Sequence, residues 1–281
     1  MEILINADLT KFNNLRLKSV AKKMYIPESI DDLILITLDL RCKDYIVLSK
    51  GSNVVLRKHY KNVILLTKMN NTLKHFGNGN FAVGASVSLG KLVDYINVLG
   101  YGGIENLFNV PGLVGASTAM NAGSGKDRGI YIGNFVTKVK YIKDGVIYEK
   151  GHEECCFEYR NSVFKDTDSI IVEVELKFPE KSIEEIQGEK RDKTDIIKKY
   201  QDYKLPNVGS FFYTYNHRIL SILRRIFNVI FKNGITFSDI NVNWIQNKGK
   251  GTYLQVKIIY ITAMITHKIL LRKCKVEARF K

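Results

Sequence analysis

The 281-residue chain has no run of about 18 apolar residues, so no membrane-spanning helix is expected from it. Its N-terminus, MEILINADLTKF, opens with an acidic residue and lacks an apolar run bounded by a cleavage-type site. No signal peptide is expected there. The four cysteines, Cys42, Cys155, Cys156 and Cys274, show no framework spacing and no C-x-x-C. Reduced thiols in a cytoplasmic protein are the simplest reading. The cluster HEECC (152–156) has adjacent carboxylates and adjacent thiols that cannot readily converge on one ion, and no second ligand pair lies at zinc-like spacing. It reads as a loop, and no metal is expected. Neither G-x-G-x-x-G nor G-x-x-x-x-G-K-[ST] is present, so the common dinucleotide and P-loop motifs do not apply. There is no internal repeat and no low-complexity tract.

Acidic residues are also scarce. Asp and Glu number 28 against 43 Lys and Arg, for a net charge of +15. Such a surface attracts nucleic acid, anionic membrane or anionic small molecules and selects none of them. The lysines are scattered rather than gathered into a stripe, which weakens the nucleic-acid reading. A phosphate-rich cofactor and a phosphate-rich substrate are served equally well. The apolar fraction of 45% suffices for a sizeable core, and the length allows two domains.

Along the chain, ESIDDLILITLDL (28–40) carries a capping pattern at Ser29 and predicts a short helix. DYIVLS (44–49) predicts a strand entering the turn KGSN, then a short strand, VVLR. NVILL and NFAVGAS are further strands. SLGKLVDYINVLG (88–100) places Leu89, Leu92, Val93, Ile96 and Leu99 at helical spacing, with Gly100 as the stop. FVTKVKYIKDGVIYEK alternates and turns at Asp144-Gly145, a hairpin signature. SIIVEVELKF (169–178) is the clearest strand. Composition shifts near Pro179 to a charged helix, and a second unit follows: strand GSFFYTY, helix HRILSILRRIFNVIFKNG and strand NVNWIQN. YLQVKIIYITAMITHKILL reads as a helix on its length, with Leu254, Ile258, Ile261 and Ile265 on one face, despite its β-branched residues. KCKVEARF alternates as a closing strand.

Residues 109–125, NVPGLVGASTAMNAGSG, contain no charged side chain and are crowded with Gly, Ala, Ser and Asn. Glycine permits positive φ and lets backbone N–H groups approach anionic oxygens, which points to a phosphate-bearing ligand. Tight turns between strands would also explain any one such stretch.

Taken in order, these stretches resemble one family. LSKGSNVVL is similar to its L-G-G-G-S-N-L-L turn, and NVPGLVGASTAMNAGSG to its G-I-P-G-x-V-G-G-A-x-x-M-N-A-G. YRNSVF (159–164) resembles its Y-R-x-S-x-F, GSFF (209–212) its G-S-F-F and VEARF (276–280) its P-E-V-R-F. The family is that of UDP-N-acetylenolpyruvoylglucosamine reductase (MurB), a flavoenzyme of peptidoglycan precursor synthesis. The landmarks span roughly residues 14–280, and the chain resembles the compact subtype without extra substrate-covering elements. The resemblance implies an α+β fold. It has an FAD-binding domain of the vanillyl-alcohol-oxidase type over 1–180 (subdomains about 1–66 and 67–180) and a connecting helix over 181–194. A smaller α+β substrate domain with a C-terminal catalytic strand takes up 195–281.

The resemblance further implies noncovalent FAD held by Lys50, Gly51, Ser52, Asn53, Val54, Pro111, Gly112, Gly115, Ala116, Asn121, Ala122 and Gly123. NADPH is the co-substrate. Arg160 would stabilise an enolate-like intermediate, Ser210 would donate the proton, and Glu277 would be the third catalytic group. By themselves these residues read as a surface ion-pairing Arg, a turn hydroxyl and a solvated face. Lys204 and Asn241 match substrate-contacting positions. The reaction implied is reduction of an enolpyruvyl sugar nucleotide by a cytoplasmic protein, expected to be a monomer with no nucleic-acid and no membrane partner.

Several positions depart from the pattern. Lys18 and Ser19 replace two glycines of Arg-Ile-Gly-Gly, and Ser49 and Lys50 replace two of Gly-Gly-Gly-Ser-Asn. Tyr213, Thr214 and Tyr215 stand where Lys, Asn and Pro follow the catalytic Ser-Phe-Phe. A divergent paralogue acting on another surface-glycan precursor stays open for that reason. The charge and the abundant Tyr and Phe keep open a basic nucleotide- or nucleic-acid-binding protein.

Overall fold

The computed structural model describes residues 1–40, 43–123 and 129–281. In chain order its first elements are β1 (Glu2–Asp8), β2 (Val20–Ile26), α1 (Ile30–Asp39), β3 (Tyr45–Leu48), β4 (Val54–Val55), β5 (His59–Leu65), β6 (Leu73–His75), β7 (Asn80–Gly84) and α2 (Leu89–Val98). Next come α3 (Val114–Ala119), β8 (Val136–Lys143), β9 (Val146–Gly151), β10 (Ile170–Lys177) and α4 (Ile183–Tyr200). The rest are β11 (Asn207–Ser210), β12 (Phe212–Thr214), α5 (His217–Ile230), β13 (Ile235–Phe237), β14 (Trp244–Asn247), α6 (Tyr253–Ile269), β15 (Lys275–Val276) and β16 (Arg279–Phe280). The fold is α+β, as expected.

The chain divides into two compact units. The first comprises Met1–Ile3, Tyr25–Ser49 and Ile64–Asp195; the second comprises Leu4–Met24, Lys50–Val63 and Ile196–Lys281. The turn at 50–53 therefore groups with the C-terminal part of the chain, not with the loop at 109–123. A four-stranded sheet has the order β1-β2-β5-β3. Periodicity did not single out β1 and β2.

The first unit is organised by the antiparallel sheet β6-β7-β10-β8-β9. Leu89, Leu92, Val93 and Ile96 of α2 bury against Phe81, Val83, Val174 and Leu176 of the sheet. The Ser88 side chain caps α2, and Gly100, at φ +78°, follows its end. Ser29 caps α1 by accepting from the Asp32 N–H at 3.1 Å, as the sequence predicts. Asp144 and Gly145 both take positive φ, as a two-residue I′ turn between β8 and β9 demands. The start of α4 is pinned by a buried carboxylate, Glu105, which meets Lys181 Nζ at 3.1 Å and the Gly103 N–H at 2.9 Å. Burial alone would raise the Glu105 carboxyl, but hydrogen bonds from the backbone and Lys181 hold it below its ordinary value.

The second unit packs α5 and α6 with the sheet β11-β14-β13 around Leu15, Leu17, Val208, Phe211, Phe212, Phe237, Ile245 and Ile259. Two expected single strands are broken here. GSFFYTY forms β11 and β12, and KCKVEARF forms β15 and β16. Both breaks occur at Phe211, whose N–H donates to the Asn243 carbonyl at 2.9 Å while its own carbonyl accepts from Glu277 N–H at 2.8 Å. The ladder partner changes there, so neither segment can continue as one strand. The helix predicted over YLQVKIIYITAMITHKILL forms as α6. Its buried line, however, is Val256, Ile259, Ala263 and His267, while Leu254, Ile258, Ile261 and Ile265 are exposed.

Among the described residues, no helix is long and apolar enough to cross a membrane and no group of three or more His, Cys, Asp or Glu could hold a metal ion. Cys155, Cys156 and Cys274 are free thiols. Burial pushes the Cys155 and Cys274 thiols up to about 11. Cys42, also expected to be a reduced thiol, lies outside the described residues.

Asp202, at the end of the connection after α4, sets a pH dependence for the second unit. It is 6% exposed. Burial works to raise its carboxyl, but hydrogen bonds from the Ser238 hydroxyl (2.7 Å) and Lys204 N–H (3.2 Å), among others, hold it below 3.8. A carboxyl depressed on folding contributes stability above its unfolded value and loses it as pH falls through the folded one. Asp202→Ala should therefore cost about 1.5–3 kcal/mol in urea unfolding at neutral pH, the range for hydrogen bonds to a charged group. The gap between variant and parent should close as pH falls below 3.8, the carboxyl's ordinary value.

Candidate functional site

The two small-residue loops fall in different units. In the second unit, Gly51 sits at φ +64°, and a Cβ there would stand 1.9 Å from the Phe12 carbonyl oxygen. The Asn14 N–H in turn donates to the Gly51 carbonyl at 3.0 Å. Glycine is thus required at 51 by the neighbouring chain itself. Lys50 is exposed, and Ser52, Asn53 and Val54 are half-buried. Asn53 Nδ2 donates to the Glu277 carbonyl at 3.3 Å, and its own carbonyl accepts from Arg279 N–H at 3.0 Å. From there β4 and β16 run parallel, Val54 opposite Arg279 and Val55 opposite Phe280.

These contacts bring two of the three expected catalytic residues together. The Glu277 N–H bonds to Phe211, the residue after Ser210. Ser210 is exposed at the end of β11, preceded by Gly209 at φ +70°. Asn243 fixes the corner by accepting from Phe212 N–H (2.8 Å) and donating to its carbonyl (2.7 Å). An amide that satisfies both backbone groups of one residue substitutes for a strand partner, and nothing in the sequence pattern singled Asn243 out. Lys204 is exposed two residues beyond Asp202. Asn241 is a turn residue: its Nδ2 donates to the Tyr200 carbonyl (3.1 Å) and its Oδ1 accepts from Asn243 N–H (3.0 Å).

Two cations at this edge were read in the sequence only as part of an alternating strand or not at all. Burial lowers the basicity of both Arg279 and Lys281, and for Lys281 the charge of Arg279 adds to the effect. Half-buried like charges beside the 50–54 turn favour an anionic ligand, which would relieve both.

In the first unit the third expected group, Arg160, stands on a tight turn. Glu158 and Asn161 exchange backbone hydrogen bonds of 3.1 and 3.2 Å around Tyr159 and Arg160. Arg160 takes φ +56°, uncommon for a side chain of its size. Lys165 Nζ holds its carbonyl at 3.0 Å, and its guanidinium lies 5.7 Å from the Tyr159 ring centroid.

That turn is fastened to the glycine segment. Asn121, buried at φ +43°, donates from Nδ2 to the Glu158 carbonyl (2.8 Å) and accepts at Oδ1 from Gly133 N–H (3.0 Å). The Ser162 hydroxyl donates to the Ala119 carbonyl at 2.7 Å. A Cβ on Gly115 would stand 2.7 Å from Ala85 Cβ, and one on Gly123 2.1 Å from Tyr131 Cδ1. On Gly112 it would stand 2.6 Å from Ser117 Oγ. Gly115 and Gly123 are therefore demanded by chain packing on chain, whereas at Gly112 only the rotatable Ser117 hydroxyl stands in the way. Pro111 and Ala116 are exposed, and Ala122 is half-buried. Ser124 and Gly125, the end of the quoted segment, lie outside the described residues.

Both loops nevertheless carry polar atoms that suit a ligand. Asn53 Oδ1, Ser49 Oγ and Thr118 Oγ1 are buried without a hydrogen-bond partner in the protein. Buried polar atoms are rarely left so, and within each unit a ligand bearing hydroxyls or phosphates would satisfy those of its own loop.

No family model matches the chain. It is 29% identical over 170 residues to UDP-N-acetylenolpyruvoylglucosamine reductase of Leptospira interrogans, a match covering 59% of this chain and 52% of the relative. With the Vibrio cholerae protein of the same name it shares 27% over 188 residues, covering 63% and 53%. With that of Carboxydothermus hydrogenoformans it shares 29% over 214 residues, covering 75% and 70%. The chain thus spans about half the length of the first two relatives. The crystal structure of the Thermus caldophilus enzyme superposes with a TM-score of 0.77 at 22% identity, covering 99% of this chain and 98% of that one. This likeness shows a common fold.

Asn121→Ala should cost about 3 kcal/mol, since it leaves the buried Gly133 N–H and the part-buried Glu158 carbonyl without partners and puts a Cβ-bearing residue with no local hydrogen bond at positive φ. Asn121→Gly should recover only the backbone share of that loss. Urea unfolding of the three proteins, followed by tyrosine and tryptophan fluorescence, measures both.

Proposed function

We propose that this chain, which belongs to the UDP-N-acetylenolpyruvoylglucosamine reductase family, uses noncovalent FAD and NADPH to reduce an enolpyruvyl sugar nucleotide, that of UDP-N-acetylglucosamine. The observation that supports this most is the meeting of Ser210, Phe211, Glu277 and Asn53 at one corner of the second unit. Residues from three distant parts of the chain converge there, and each falls on a family motif.

In this reading FAD, when bound, supplies hydride chemistry between NADPH and the enolpyruvyl double bond. The FAD-binding part is of the vanillyl-alcohol-oxidase type. By the family motifs, the turn Lys50 to Val54 in one unit and Pro111, Gly112, Gly115, Ala116, Asn121, Ala122 and Gly123 in the other would each contribute contacts to the cofactor. Among them Asn53 offers a ready acceptor, and Asn121 acts by holding its loop. Residues 195–281 serve the substrate. Lys204 supplies a cation to its phosphates, and Asn241 keeps the turn beside it in shape.

Negative charge develops on the α-carbon of the enolpyruvyl group as the β-carbon is reduced, and it spreads into the attached carboxylate. Arg160 stabilises that charge as a fixed, planar cation matched to a carboxylate. Glu277 assists by orienting a donor or by carrying a proton itself. The Ser210 hydroxyl delivers the proton to the α-carbon, which a weak acid can do for a strongly basic carbanion within hydrogen-bond reach.

Two variants test these roles. Arg160→Ala should lose about 100-fold in kcat with flavin content retained, like other lost oxyanion donors, and Arg160→Lys should not restore it. An alanine variant with full turnover removes Arg160 from the mechanism.

For Ser210→Ala, anaerobic stopped flow should show NADPH bleaching the flavin at the parent rate. Reoxidation by the enolpyruvyl substrate should be slowed by orders of magnitude, because that half-reaction alone needs the proton. Ser210→Cys should recover part of the rate, since a thiol is the stronger acid. Normal reoxidation in the alanine variant would falsify the assignment. A colourless protein that FAD cannot reconstitute would count against the reading as a whole.

A further inference from the structure

The solvent side of α6 is aliphatic. Opposite its buried line of Val256, Ile259, Ala263 and His267 run Leu254, Ile258, Ile261, Ile265 and Ile269, all exposed. Ile265 is 52% exposed and Ile269 72%. The helix α5, which packs against α6 in the same unit, also exposes Ile222, Ile226 and Val229. Single exposed apolar residues are ordinary, but a sustained helical line of them marks an interaction surface.

The charge carried by the two helices has one sign. No Asp or Glu occurs between Asp239 and Glu277, and none occurs in α5 or α6. Arg218 and Arg225 on α5 and Lys257 and Lys268 on α6 are exposed. Lys257 and Lys268 each adjoin the aliphatic line in sequence, next to Ile258 and Ile269.

We propose that this face of α5 and α6 docks reversibly on an anionic lipid bilayer. The aliphatic line enters the boundary between headgroups and acyl chains, while the lysines and arginines meet the lipid phosphates. With 17 residues and no membrane-spanning helix among the described ones, α6 lies on the surface and does not cross it. The pairing of aliphatic core and cationic margin decides the occupant. Nucleic acid would use aromatic platforms for stacking, and the exposed line has none. A second copy would bring two acid-free cationic faces together, which repel. An anionic bilayer complements both parts at once. The face includes none of the residues assigned to the reductase site, so the two readings stand or fall separately.

The test is flotation of the full chain with vesicles. One set contains equal parts phosphatidylglycerol and phosphatidylcholine, the other phosphatidylcholine alone. The protein should float with the anionic vesicles and bind the neutral ones roughly tenfold less. Ile261→Glu combined with Ile265→Glu should lower anionic binding by at least roughly tenfold at both low and high salt. Lys257→Gln with Lys268→Gln should weaken it at low salt and matter little at high salt, where the charges are screened. Both isoleucines are exposed, so thermal unfolding by circular dichroism should match the parent; Ile261→Ser with Ile265→Ser replaces the pair should it not. The proposal is overturned by failure to bind anionic vesicles, or by binding that the isoleucine substitutions leave unchanged. It is overturned equally if sedimentation shows the face closing on a second copy in solution, abolished by the same substitutions.

Discussion

The first unit depends on one side chain. Asn121 accepts the strain of a left-handed backbone and uses both ends of its amide, one on Glu158 and one on Gly133. Asparagine tolerates positive φ better than most residues, because its short polar side chain can bond locally. Without this bond the glycine segment and the turn that carries Arg160 would be two independent loops. With it, and with the Ser162 hydroxyl on the Ala119 carbonyl, they form one rigid piece. The packing behind the turn fixes the backbone that carries Arg160 before any ligand arrives.

The second unit solves the same problem with backbone rather than side chain. Phe211 is fully buried, and its peptide groups are committed to Asn243 on one side and Glu277 on the other. Its neighbour Ser210 is thereby held at the surface by a residue that cannot move. Buried aromatic next to exposed hydroxyl gives precision and access at adjacent positions. None of the corner's hydrogen bonds is made by Lys18, Ser19, Ser49 or Lys50, the positions that depart from the family pattern. Gly51, where a Cβ would meet the Phe12 carbonyl, is the glycine of that turn which has stayed.

Helices were legible where amphipathic spacing and caps agreed. Ser29 and Ser88 cap where the sequence places them, and the Asp144-Gly145 hairpin turns as written. The small-residue segment reads as room for a ligand or as tight turns, and Gly112, Gly115 and Gly123 lie close to Ser117, Ala85 and Tyr131 of the chain itself. Composition announces close approach without saying what approaches. The breaks at Phe211 were invisible because alternation is a local signal, and the partner that ends each strand is remote in sequence. For the same reason Asn243 and the paired cations Arg279 and Lys281 gave no warning. Periodicity found the helix α6 but singled out its exposed side, since aliphatic residues occupy both faces and spacing alone cannot say which one the core receives.

The pairing of β4 with β16 has a consequence for how the molecule comes into being. Asn53 and Glu277 are bonded across 224 positions of sequence, and residues 4–24 and 50–63 belong to a unit otherwise made of residues 196–281. Contacts of such separation close late, because a long stretch of chain must be gathered before they repay its entropy. During synthesis the early segments can pair with one another, through β1, β2 and β5, before residues 196–281 emerge. Their remaining partners, in residues 196–281, are made only after the chain of the first unit that lies between them. The corner that holds Ser210 and Glu277 is thus among the last parts to form. Its competence reports that the entire second unit has been assembled.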